Sequence, residues 1–169
     1  VAIVVDVTSS GGQQANRHDA AERLEQQLVA DLRKRGLPAI QAASFVASPS
    51  ARLEIRIEDY RRGDAVMRML VGLGAGKSKL AVHAMLTAPD GVLLDLGARA
   101  SSGGRPGLIL PAGVGAATGK LANAAIGGAL GVATKSGEGP GRDLKNVSKA
   151  LAQRVAAYYE ASGRSLKQD

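Results

Sequence analysis

The residues best equipped for chemistry are few. Gly72-Leu73-Gly74-Ala75-Gly76-Lys77-Ser78 ends in the Gly-Lys-Ser of a phosphate-binding loop. That loop needs another glycine, with four residues between it and the Gly-Lys pair, so that backbone amides can wrap a phosphate. Val71 stands there. The loop must also open a helix whose N-terminus holds the anion. Here Lys79 to Ala88 alternates apolar and polar residues, which predicts a strand. The segment therefore reads as a glycine-rich connection or bulge, and no ATP binding is expected of it.

The 2 histidines, His18 and His83, have no second ligand at metal-binding spacing. His18 lies among polar residues near a helix start. His83 falls on the strand face opposite Leu80, Val82 and Ala84. Asp6 ends the first apolar run and Asp95 sits inside a later one. A strand-end aspartate more often caps a turn than catalyses, and no nucleophile–base pair is legible around either. The absence of cysteine excludes disulfides, thiolate metal sites and a cysteine nucleophile. No catalytic, metal or cofactor residue is assigned, and the chain reads as a non-enzyme.

The elements that would position these residues follow from apolar periodicity. Val1 to Thr8 is a β-branched apolar run, expected as a central strand buried on both faces. Gln14 to Arg35 is an amphipathic helix with Ala21, Leu24, Leu28 and Leu32 on one stripe. Asn16, with Asp19, is placed to cap its start, and Gly36 and Pro38 stop it. Ala39 to Ala47 is a weaker strand. Arg52 to Tyr60 alternates Leu53, Ile55 and Ile57 with Arg52, Glu54, Arg56 and Glu58, the pattern of a strand with one wet face. Gly63-Asp64 marks a turn, and Ala65 to Val71 can form a further strand. Pro89-Asp90-Gly91 joins Lys79–Ala88 to Val92–Ala100 as a hairpin. Arg142 to Ala161 is a second amphipathic helix, with a stripe of Leu144, Val147, Leu151, Val155 and Tyr158. The fold class is α/β (α+β): a mixed, largely antiparallel sheet covered by two amphipathic helices. Residues 1–169 are expected to form one domain, with residues 106–140 as a Gly/Ala-rich insertion.

That insertion holds the unusual composition. Of 22 glycines in 169 residues, 12 fall between Gly103 and Gly141. From Leu108 to Thr134 the only charge is Lys120. Gly115, Gly119, Asn123, Gly127 and Gly131 recur every fourth residue, and Leu121 belongs to a parallel row with Ala117, Ala125, Ala129 and Ala133. On a helix or helical hairpin such rows form a stripe of small side chains, a glycine zipper that lets another backbone approach closely. Leu121, Ile126 and Leu130 supply the larger apolar contacts. Glycine costs about 1 kcal/mol per helical residue relative to alanine, so this segment needs tight packing or lipid to be helical. Three coverings stay open: the protein's own sheet, another subunit, or a membrane.

A formal charge of +7 fits nucleic acid, an anionic membrane or simple solubility. The tightest cluster, Arg33-Lys34-Arg35, sits where cations favour a helix C-terminus. Only Phe45, Tyr60, Tyr158 and Tyr159 are aromatic, which is poor equipment for stacking single-stranded bases. A nucleic-acid or phosphate-binding module is thus the alternative, and nucleic acid is disfavoured. A hydrolase has only the aspartates behind it.

Four stretches together resemble an uncharacterised family of bacterial lipoproteins, known as a domain of unknown function. They are the opening VAIVVDVTSSGG, the central Arg68–Leu94 with its VGLGAGKS core, the Gly/Ala insertion, and the closing Ala150–Gly163. The resemblance implies export, a periplasmic location and an outer-membrane lipid anchor upstream of Val1. It implies no activity and no catalytic residue. The function expected is structural: a homo-oligomer or an envelope-complex component, using Gly115, Gly119, Asn123, Gly127 and Gly131 for packing or membrane contact.

Overall fold

In the computed structural model, the described residues are 2–9, 14–44, 49–61, 79–101, 107–109 and 140–163. They form β1 (Ile3–Ser9), α1 (Gln14–Arg33), β2 (Ala39–Gln41), β3 (Ala51–Arg61), β4 (Lys79–Ala88), β5 (Gly91–Ser101), β6 (Gly107–Ile109) and α2 (Pro140–Ser162). The strands make one six-stranded sheet in the order β2-β1-β3-β4-β5-β6. β1 pairs in parallel with β2 and with β3, and the pairs β3–β4, β4–β5 and β5–β6 are antiparallel. The β1-α1-β2 unit supplies the parallel edge, since parallel neighbours need a crossover. The rest is a meander. The expected mixed, largely antiparallel sheet with two amphipathic helices is the fold observed.

The core follows the alternation. Leu53, Ile55 and Ile57 of β3, Leu80, Val82, Ala84 and Leu86 of β4, and Leu94, Leu96 and Ala98 of β5 are buried with Ile3 and Val5 of β1. Leu24, Leu28 and Leu32 of α1 and Leu144, Val147, Leu151 and Val155 of α2 join the same apolar cluster. Both helices therefore back one face of the sheet, and α1 also touches α2. The opposite face carries Asp6, Thr8, Glu54, Arg56, His83 and Asp95, together with Val4 and Met85.

Several details differ from expectation. β1 is buried on both faces only over Ile3–Val5, and Thr8 and Ser9 are exposed. β2 stops at Gln41, because Ser44 N–H closes a turn on Gln41 O at 3.0 Å and Ala42 N–H bonds Glu25 Oε1 at 2.9 Å. α1 ends at Arg33, and Gly36 (φ +77°) turns the chain into β2. Its first described residue is Gln14, which puts Asn16 inside the helix, and Asp19 pairs with Arg23 at 2.9 Å. In α2 the fully packed tyrosine is Tyr159, with Tyr158 half-buried beside it, edge to face at 5.8 Å. β6 lies where the insertion was expected to begin. The strand expected over residues 65–71 lies outside the described residues.

Candidate functional site

The polar face is built in rows by strand register. Asp6, Glu54, Met85 and Asp95 form one row across β1, β3, β4 and β5. The next row holds Thr8, Arg56, His83, Gly97 and, on β6, Ile109. Gly97 has no side chain opposite His83, which leaves the imidazole room to lean diagonally across β5. His83 Nε2 meets Asp95 Oδ1 at 2.6 Å, with side chains 36% and 25% exposed. Diagonal neighbours on one sheet face are within reach of side chains this long. Arg52 Nη1 lies 3.9 Å from Asp6 Oδ2 on the same face.

A carboxylate on an imidazole can fix its tautomer, as in nucleophile-activating relays. A relay needs a third member, and among the described residues the neighbours of His83 in its row are Arg56 and Gly97. Among the described residues, no three His, Asp or Glu side chains stand together as a metal-ligand group. The His83–Asp95 pair is a polar contact between β4 and β5. Along the sequence these two residues stand 12 positions apart with no motif joining them. The missed signal was the hydrophobic alternation: burying Leu86, Leu94 and Leu96 on one face puts His83 and Asp95 together on the other.

A second polar contact lies between the helices. Ser148 Oγ of α2 donates to Asp31 Oδ2 of α1 at 2.7 Å, with Ser148 0% and Asp31 8% exposed. Lys34 Nζ is 3.8 Å from the other carboxylate oxygen. The contact fixes the register of the two helices. His18 pairs with Glu22 at 3.3 Å along exposed helix surface and takes part in no site.

The positions singled out for assembly, Gly115, Gly119, Leu121, Asn123, Ile126, Gly127, Leu130 and Gly131, lie outside the described residues, as does Gly72–Ser78. The strand expected after Gly72–Ser78 is present, since β4 begins at Lys79. Among the described residues, no helix is long and apolar enough to cross a membrane.

The fold is a mixed sheet backed on one face by two helices. The profile of a domain of unknown function, DUF4410, matches residues 4–119, so the chain belongs to that family. The match runs from β1 through β6 into the Gly/Ala-rich segment and stops before α2. No curated protein sequence matches the chain. Among solved structures, a PelC dodecamer from Paraburkholderia phytofirmans is similar at TM-score 0.52 and 14% identity, over 90% of this chain and 86% of that one. A single-substitution form of that dodecamer gives 0.50 and 13%, over 92% and 85%. The lipoprotein GNA1162 from Neisseria meningitidis gives 0.44 and 12%, over 75% and 96%. At these identities the PelC likeness shows a shared fold.

Proposed function

We propose that this protein is a non-enzymatic component of the bacterial cell envelope: the periplasmic domain of an outer-membrane-anchored lipoprotein that works as a homo-oligomer. The observation that carries the reading is the likeness of fold, over most of both chains, to a protein whose crystals hold dodecamers. The envelope location and the anchor rest on the resemblance of the VGLGAGKS core and the Gly/Ala insertion. Residues 1–169 act as one domain, and residues 106–140 supply a contact between subunits or with membrane. In this reading Gly115, Gly119, Asn123, Gly127 and Gly131 form the close-packed row, flanked by Leu121, Ile126 and Leu130. The steric reason is that a side chain larger than hydrogen would hold two helix axes apart.

The test is a pair of substitutions, Gly119→Leu and Gly127→Leu, with Ala116→Leu as a control off the row. Particle mass by light scattering and lipid partitioning by vesicle flotation should fall in the first two and hold in the control. Intrinsic helix propensity predicts the opposite sign, since glycine is the poorer helix former by about 1 kcal/mol. Unchanged mass and flotation in both glycine variants, with normal folding, would remove the zipper from the mechanism.

A further inference from the structure

Among the described residues, both edges of the sheet are only half covered, and at opposite ends. With β1 taken as running up, β2, β3 and β5 run up while β4 and β6 run down. On the β1 edge, β2 covers only the lower residues Ile3–Val5. Ile3 N–H donates to Pro38 O on that side, and Ala2 O accepts from Ser50 N–H on the β3 side. A parallel strand sends alternate residues to alternate neighbours. Val7 and Ser9 therefore direct their backbone groups past the end of β2, where no described residue pairs with them. On the other edge, β6 covers only Gly97–Arg99, in the upper half of β5. Gly91–Leu96 below it have β4 alone among the described residues. Val92, 48% exposed, lies in that recess and is the exposed large apolar side chain among the described residues.

One edge thus has a step below and a recess above. The other has a recess below and a step above. Placed side by side without rotation, the two outlines are complementary. β6 of one copy meets Asp6–Ser9 of the next in antiparallel sense, while β2 of that next copy enters the recess beside Gly91–Leu96. Charge agrees with the fit. Exposed Arg33, Lys34 and Arg35 lead into β2 at the foot of one edge, and exposed Asp90 stands in the β4–β5 turn at the foot of the other. The outward carbonyls of β2 are already met, Ala39 O by Arg33 Nε at 2.7 Å and Gln41 O by Ser44 N–H. Main-chain pairing therefore falls at the β6–β1 junction, and β2 supplies shape and charge.

We infer that a second copy of this chain docks edge to edge, β6 against the Asp6–Ser9 half of β1, so that one sheet continues from subunit to subunit. The contact is heterologous, with different surfaces on its two sides, and such contacts generate closed rings or open fibres. The inference rests on the homo-oligomer proposed above and gives it an interface independent of the glycine row.

The chain has no cysteine, so paired cysteines can be introduced cleanly. Thr8 and Ile109 fall on one ladder row, four strand spacings apart within one copy. At about 4.8 Å per spacing that is roughly 19 Å, far beyond the ~7 Å limit between Cα atoms for a disulfide. Thr8→Cys/Ile109→Cys treated with diamide should convert monomer into a ladder of covalent multimers on a non-reducing gel. Each single variant should stop at dimer, and Arg56→Cys/Ile109→Cys, with one cysteine inside the sheet, should give no ladder. Ser9→Pro, which removes an outward N–H and leaves the β3 ladder intact, should lower the particle mass without changing the far-ultraviolet circular dichroism. A wild type oligomeric by light scattering, with no ladder from the double variant, would overturn the edge contact and leave the oligomer standing. A monomeric wild type would overturn both. A ladder that persists in the Gly119→Leu background would assign the contact to the edges, and one lost there would overturn their independence from the zipper.

Discussion

Two polar contacts set the residue scale. Ser148 and Asp31 are both buried between α1 and α2, and removing the hydroxyl leaves a carboxylate oxygen unmet in an apolar seam. Ser148→Ala should destabilise the fold by about 1–3 kcal/mol, read as a lower urea midpoint. A shift too small to resolve would mean that water replaces the hydroxyl. The half-exposed His83–Asp95 pair should be worth less, about 0.2–1 kcal/mol of coupling in a double-mutant cycle with His83→Ala and Asp95→Ala. Zero coupling would reduce it to proximity without interaction. Neither contact was read from the sequence. Ser148 and Asp31 are 117 positions apart, and only the packing of two amphipathic stripes brings them together. His83 and Asp95 were nearer to legible. The hairpin closes with Ala88 opposite Gly91, a register that would set Leu96 opposite His83; the bulge after Leu86 gives that place to Gly97 instead. Apolar alternation demands such a shift, but it does not say where the extra residue sits.

At the scale of elements, the strongest periodicities were the most legible. The leucine stripe of α1 packs in one cluster with Val5, Ile55 and Ile57, as its spacing requires. Leu28→Ala should cost about 2–5 kcal/mol, the range for a cavity under a fully buried leucine. A loss below about 0.5 kcal/mol would mean that the stripe collapses without leaving a cavity. Gly36 holds φ +77° with open space around its missing side chain, so Gly36→Ala tests backbone strain alone. It should destabilise by about 1–2 kcal/mol. An unchanged urea midpoint would show that the turn relaxes. The short edge strands were the illegible elements. β2 and β6 have three residues each, too few for any period to show. β2 ends early because Glu25 and a local turn capture the chain after Gln41, a tertiary event that local pattern does not encode.

At the scale of the whole molecule, two amphipathic helices back one alternating sheet, and among the described residues both sheet edges are stepped. Composition pointed to assembly through the Gly/Ala segment, while topology points to the sheet edges; a homo-oligomer can use both. The central claim, that this chain works as an assembly of its own copies, is tested most directly by its mass in solution. Light scattering of the intact chain, with detergent and without it, should return a multiple of 17.2 kDa in both conditions. A single 17.2 kDa particle in both, at every concentration, would contradict the account.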